Sequence, residues 1–276
     1  MNEPPNEHLL AVDIGNNQIK LGLLAAHSGA GWPEPKSVFQ VASSAASLAG
    51  LAERLPPHQL IWCVATVHRE AERRLAEWVA EQRPGDRYQL LQNQLLPIEI
   101  RVDQPERVGT DRLLAAVAVN GLRQADRAAI IIDAGTAITV DLVSADGAFQ
   151  GGVILPGFGM MARALARDTD LLPLVEGSLN DQPPAVVGKS TVAAIRSGLY
   201  WGSVGAVCEL VRRIAGGVDH ELEIFVAGGD AARLAPYLPA TAQVVPELVL
   251  SGIALAWRAL PQDVGWAKYS RPTSVT

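Results

Sequence analysis

Apolar residues run almost unbroken from Leu9 to Ile14, give way to Gly-Asn-Asn-Gln, and resume from Ile19 to Ala25. β-Branched and leucine residues flanking a pair that tolerates left-handed backbone predict two strands joined by a tight Gly-Asn turn. From His68 the period changes. "HREAERRLAEWVAEQ" puts Ala71, Leu75, Trp78 and Val79 on one helical face, and Pro84-Gly85 ends the run. "TDRLLAAVAVNGL" predicts a helix with Thr110 as its cap and Asp111 in the first turn, after a loop at "PERVG". Three apolar runs at 128–133, 137–143 and 148–155, the last two joined at Asp146-Gly147, predict a meander. A helix from about Ser190 to Ala215, a strand at 222–227, helices near 230–238 and 247–260 and a polar tail from Pro261 complete the pattern. Residues 26–60 read as helix and loop without a motif.

Within this pattern lies a repeat. "LLAVDIGNNQIKLGLL" and "AIIIDAGTAITVDLV" share one plan: apolar strand, Asp, one small or apolar residue, Gly, polar residues, second apolar strand. Each half of the chain opens with the same turn, which predicts a duplicated two-lobed α/β architecture divided as 9–125 and 126–260, with 261–276 as tail. One Asp-x-Gly is an ordinary tight turn. Two in matching strand contexts offer more, since a carboxylate at a strand end can hold a cation while the following backbone N–H groups receive phosphate.

Composition narrows the partners. The 276 residues are 49% apolar, enough for a sizeable core. A net charge of −6 without a Lys/Arg cluster argues against nucleic acid and for small molecules. Cys63 and Cys208 match no zinc or disulfide spacing, which suits a reducing cytosol. The acidic, Pro-rich "MNEPPNEHLL" does not read as a signal peptide and no apolar run is of membrane-spanning length, so the expectation is a soluble, cytoplasmic protein with no membrane partner.

Five ordered stretches then carry a resemblance: "DIGN" at 13–16, "GTDR" at 109–112, "DAGTAIT" at 133–139, "GGVILPG" at 151–157 and "STVAAIRSGLYWG" at 190–202. Together they resemble the motifs of type III pantothenate kinases, over about Leu9 to Leu260. The resemblance implies the acetate and sugar kinase, heat-shock ATPase and actin superfamily, whose two ribonuclease-H-like lobes enclose an interlobe ATP cleft. It also implies transfer of the ATP γ-phosphoryl group to pantothenate, giving 4′-phosphopantothenate, the first step of coenzyme A synthesis.

Roles follow from the same resemblance, residue by residue. Asp111 is the base that takes the hydroxyl proton, and an aspartate of ordinary acidity suffices because that proton leaves late in a loose transition state. Gly109, Thr110, Asp111 and Arg112 line the pantothenate pocket, Gly109 leaving room for substrate and Arg112 offering its fork to a carboxylate or amide. Val102 occupies a further pocket position, and Thr191 contacts substrate, often across a dimer interface. Asp13 organises the Mg2+ that arrives with ATP, while Asp13, Ile14, Gly15, Asn16, Asn17, Gln18, Ile19 and Lys20 cradle phosphates. Asp133 holds a monovalent cation, K+ or NH4+, and Thr136 contacts ATP. Gly198, Gly202 and Gly205 recur at helical spacing and permit close approach of another helix, within the chain or in a homodimer.

Two other motifs are weaker. "GFGMMA" at 157–162 fits a dinucleotide fingerprint, but it follows a strand that closes a meander, Pro156 precedes it, and the nearest downstream acid, Glu176, lies in a loop. "GKST" at 188–191 imitates a P-loop end, but Pro183 stands where that motif needs glycine. Two departures from the family stand out: Asn17, where the family usually has Thr or Ser, and Val102, where a tyrosine is common. Both suggest altered affinity before lost chemistry, and they admit an alternative: a kinase-like regulatory protein that binds nucleotide or pantothenate without efficient turnover.

Overall fold

The computed structural model describes residues 8–25, 31–44, 48, 50–175 and 182–260. The tail from Pro261, the residues before His8, and Glu176 lie outside them. In chain order the elements are β1 (His8–Ile14), β2 (Gln18–Ala25), β3 (Ser37–Ala42), α1 (Leu51–Arg54), β4 (Leu60–Thr66), α2 (Arg69–Gln82), β5 (Arg87–Leu90) and α3 (Thr110–Leu122). These are followed by β6 (Ala128–Ala134), β7 (Ala137–Val143), β8 (Phe149–Pro156), α4 (Phe158–Arg167), α5 (Thr191–Ala215), β9 (Leu222–Ala227), α6 (Ala231–Leu234), β10 (Gln243–Val244) and α7 (Leu248–Ala259).

Two compact units result, one from the described parts of Met1–Ile98, Asp103–Gly121 and Glu247–Thr276, the other from Glu99–Val102 and Leu122–Pro246. The first holds a five-stranded sheet in the order β3-β2-β1-β4-β5, the second a sheet in the order β8-β7-β6-β9-β10. In both, the first three strands pair antiparallel and the fourth and fifth join parallel. The repeat seen in two turns therefore extends to the strand order of whole sheets.

In the central strands consecutive residues are buried, which means that both faces of each sheet are covered there. In β1 residues Leu9 to Val12 and Ile14 are buried; in β6, Ala128 to Ile132 and Ala134. One core gathers Leu10, Val12, Trp62, Val64, Leu75 and Val79; the other Ile130, Ile132, Val140, Tyr200, Val204 and Val226. α2 buries Ala71, Leu75, Ala76 and Val79, while Trp78 is half-buried and meets Trp62 edge-on with ring centroids 6.2 Å apart. Its opposite face carries exposed Arg73 ion pairs to Glu70 and Glu77.

Several expectations are corrected. Residues 26–60 contain a strand, β3, which pairs with β2 at the sheet edge; it turns Phe39 and Val41 toward the first core but buries neither fully, and so short an alternation is a weak signal in sequence. "PERVG" includes a short 3-10 turn, Pro105–Arg107. The helix near 230–238 is the single turn α6 followed by a 3-10 turn, Ala235–Tyr237. The final helix packs in the first unit, not the second. α7 buries Leu248, Leu250, Ile253, Ala254 and Ala256, and a β-carbon on its Gly252 would collide with the Leu114 carbonyl of α3. Ser251 Oγ donates to the Pro33 carbonyl at 2.9 Å, satisfying its hydroxyl in that buried setting. A helix this apolar needs a covered face, and the first sheet with α3 supplies it.

Candidate active site

The turn after β1 closes with Ile14 opposite Ile19, and Gly15 N–H donates to the Gln18 carbonyl at 2.9 Å. The break between the paired strands is therefore Gly15 to Gln18, the four residues that separate the two apolar runs in sequence. Ser43, just past β3, supports it twice: its N–H donates to the Asn17 carbonyl at 3.0 Å and its Oγ donates to the Gly15 carbonyl at 2.9 Å. Arg74 of α2 in turn donates through Nη2 to the Ser43 carbonyl at 2.7 Å. Asn16, Asn17 and Gln18 are exposed at the tip and Asp13 is half-buried at the strand end.

Not every residue of 13–20 presents a side chain outward. Ile14 and Ile19 are buried in the first core, so only their backbone can face a ligand. Lys20 lies 3.2 Å from the Glu247 carboxylate, which ties its ammonium to the start of α7.

The "GTDR" stretch belongs to the same unit. Val67 joins it to the first turn: its N–H donates to the Ile14 carbonyl at 3.0 Å, and its Cγ1 lies 3.6 Å from where a Gly109 β-carbon would stand. Both features thus meet at the carboxyl ends of β1 and β4, the place where open α/β sheets bind ligands. Gly109 has a local reason as well. A β-carbon there would stand 2.5 Å from Asp111 Oδ1, so the glycine makes space for the carboxylate itself.

Thr110 is not the cap that the sequence suggested. It is the first residue of α3, the Gly109 carbonyl accepts from Arg112 and Leu113, and Thr110 Oγ1 donates to Asn93 Oδ1 at 2.9 Å. Asp111 is half-buried, and its Oδ1 accepts the Arg112 N–H at 2.8 Å. Burial pushes its carboxyl above the usual aspartate value, only partly offset by that N–H and the Arg112 charge. The ordinary acidity expected from sequence is thereby corrected toward a stronger base.

In the second unit the turn after β6 is one residue shorter: Ala134 opposes Ile138, and Gly135 N–H donates to the Ala137 carbonyl at 3.0 Å. Asp133 Oδ1 sits 2.5 Å from the β-carbon position of Gly228, whose φ is +91°, and 3.4 Å from that of Gly135. Asp230 N–H donates to the Ala134 carbonyl at 3.0 Å, and Gly157 N–H to the Thr136 carbonyl at 3.1 Å. Thr136 is exposed. Gly157, the first glycine of "GFGMMA", thus packs against this turn; a β-carbon there would collide with the Gly135 and Thr136 carbonyls.

Val102 and Thr191 also belong to the second unit. Val102 Cγ1 is 3.4 Å from the β-carbon position of Gly151, whose φ is +90°. Thr191 is exposed at the first position of α5, after Ser190, whose Oγ accepts the Ala193 N–H at 3.2 Å. No three His, Cys, Asp or Glu residues converge into a metal cage among the described residues. A cation arriving on nucleotide phosphates needs only one or two protein carboxylates, and each unit carries a half-buried aspartate at a strand end, Asp13 in the first and Asp133 in the second. No helix among the described residues is long and apolar enough to cross a membrane.

A family model described as type III pantothenate kinase matches residues 9–213. The chain belongs to the type III pantothenate kinase family. A type III pantothenate kinase of Dehalococcoides mccartyi is 33% identical, covering 92% of this chain and 98% of its own length. One from Rubrobacter xylanophilus is 34% identical, covering 90% and 97%. Among solved structures, a putative 2-dehydro-3-deoxygalactonokinase from Sinorhizobium meliloti is similar with a TM-score of 0.51 and 15% identity, over 91% of this chain and 98% of that one. That likeness concerns the fold alone, two α/β units each built on a mixed five-stranded sheet. Membership in the kinase family makes this protein a phosphotransferase, of a kind that uses ATP and generally a divalent cation.

Sequence reasoning missed Ser43, Val67 and Asn93, which act through hydrogen bonds and contacts to distant segments. None sits in a motif, and only folded neighbours reveal them.

Proposed function

We propose that this protein transfers the γ-phosphoryl group of ATP to the terminal hydroxyl of pantothenate, opening coenzyme A synthesis, with Asp111 accepting the hydroxyl proton. The observation that carries this reading is the Asp111 carboxylate: half-buried, held by the Arg112 N–H, seated over Gly109 and raised in basicity by burial. Thr110 and Arg112 flank it in the acceptor pocket, with Val102 and Thr191 as further substrate contacts. The exposed amides of Asn16, Asn17 and Gln18, at the tip of the 13–20 hairpin, receive phosphates, and Asp13 holds Mg2+. Asp133 holds K+ or NH4+ and Thr136 contacts ATP. These cations, when bound, neutralise phosphate charge.

A homodimer completes the reading. Gly198, Gly202 and Gly205 lie exposed along α5 with open space where β-carbons would stand, and Leu171, Val186, Val187 and Val192 are exposed apolar residues. Light scattering checks this. A cytoplasmic location accords with such a metabolic role.

The decisive experiment is phosphorylation of pantothenate by purified protein, with Asp111→Asn beside it. Loss of the base lowers kcat by about 10²- to 10⁴-fold. A wild-type protein without turnover in Mg2+ and K+ would favour the regulatory alternative, and equal rates in Na+ would remove the monovalent-cation role. Activity falls on the acid side as Asp111 protonates, at a pH above the ordinary aspartate value because its pKa is raised. The same shift has a stability consequence: the folded state favours the protonated acid, so ionisation between the ordinary and raised values costs stability as pH rises. Asp111→Asn therefore melts at a higher temperature than wild type at neutral pH, measured by calorimetry.

A further inference from the structure

Asn93 begins the short 3-10 turn Asn93–Leu95 that follows β5. This turn hangs from the first sheet, with Leu91 N–H donating to the Val64 carbonyl at 2.7 Å and Leu96 buried. The Asn93 side chain makes three hydrogen bonds to one segment. Its Nδ2 donates to the Val108 carbonyl at 2.9 Å and to the Pro105 carbonyl at 3.2 Å, and its Oδ1 accepts the Thr110 hydroxyl at 2.9 Å. Two carbonyls on one side and a hydroxyl donor on the other settle which way the amide points, and both of its amide hydrogens are used.

Among the described residues, the backbone bonds that this segment makes between 104 and 108 are local, from the Arg107 N–H to the Gln104 carbonyl and from the Val108 N–H to the Pro105 carbonyl. Three residues beyond Val108 stands Asp111. We infer that Asn93 is a positioning residue: its amide clamps Pro105, Val108 and Thr110 to the sheet and so sets where the Asp111 carboxylate stands. The inference rests on Asp111 being the base. It also limits Thr110, whose hydroxyl proton is committed to Asn93, leaving its oxygen lone pairs for substrate. A misplacement near 1 Å in a catalytic group costs about 10²-fold in rate, so a clamp of this kind is visible in kcat.

The test uses the full chain with ATP and pantothenate and compares wild type, Asn93→Ala, Thr110→Val, their double variant, Asp111→Asn, and Gln94→Ala as a control at the exposed neighbour. Asn93→Ala is expected to lower kcat about 10- to 100-fold with KM for ATP within about twofold, and hydrogen exchange is expected to quicken at Val108 to Arg112. Gln94→Ala stays near wild type. Because the Asn93–Thr110 bond is already lost in Asn93→Ala, adding Thr110→Val lowers kcat by no more than about a further twofold, and loss of a substrate contact by the Thr110 hydroxyl is read separately as a raised KM for pantothenate. Losses that multiply in the double variant, or an Asn93→Ala kcat within about twofold of wild type, would overturn the clamp. If circular dichroism shows that Asn93→Ala does not fold, Thr110→Val decides: about a threefold to tenfold fall in kcat together with quicker hydrogen exchange at Val108 to Arg112 supports the clamp, and unchanged exchange there overturns it. Wild-type kcat in Asp111→Asn overturns the base assignment and with it the inference; inactive Asp111→Asn beside a normal Asn93→Ala overturns the clamp alone.

Discussion

The turns after β1 and β6 occupy the same place in the same strand order, but they are held in place by different means. Around Asp13 the support is a side-chain relay, Arg74 to Ser43 to the Gly15 carbonyl, with four residues in the loop. Around Asp133 the support is backbone packed on backbone: Gly157 and Gly228 bring their main chains so close that neither position has room for a β-carbon, and the loop is one residue shorter. Duplication preserved the sheet and the aspartate. The supports diverged, because a longer loop needs donors to reach its carbonyls while a shorter one can be pinned by close approach.

The contrast predicts unequal fragility. Gly228→Ala should be the most damaging change: the left-handed φ of +91° and a β-carbon 2.5 Å from the Ala134 carbonyl carbon both oppose it, so about 2–4 kcal/mol of stability is lost in denaturant melts. Ser43→Ala at the other turn removes one hydrogen bond and should cost about 1 kcal/mol, with KM for ATP raised more than KM for pantothenate. An equal loss in both variants would break the comparison. Asn17→Thr, which restores the usual family residue at an exposed tip, should leave stability within about 0.5 kcal/mol and shift KM for ATP by about threefold or less. A larger shift would sharpen it by showing that the first turn contacts phosphate through that side chain.

Legibility in the sequence followed the size of the local signal. The β1–β2 hairpin, the meander β6–β8, α2, α5 and β9 carry strong periodicity and end within a residue or two of their expected limits. β3, β4, β5 and β10 were not anticipated. β3 and the two-residue β10 sit at sheet edges with little buried surface, β5 has four residues, and the fully buried β4, "LIWCVAT", has no alternation that distinguishes a strand from a buried helix. Asp111 and both strand-end aspartates are nameable from their motifs. Asn93 is not, since its three partners lie 12 to 17 residues away and an isolated "QNQ" carries no chemistry.

By itself the sequence determined the duplicated turn plan, the principal helices and strands, and the residues able to accept a proton or hold a cation, because those depend on local period and residue chemistry. Only the tertiary structure decided that α7 returns to the first sheet, that Ile14 and Ile19 face the core, that Lys20 is paired with Glu247, and that Asp111 is a stronger base than a free aspartate. Each of these depends on what surrounds a side chain after folding, through burial, desolvation and the distance to a partner far away in the chain.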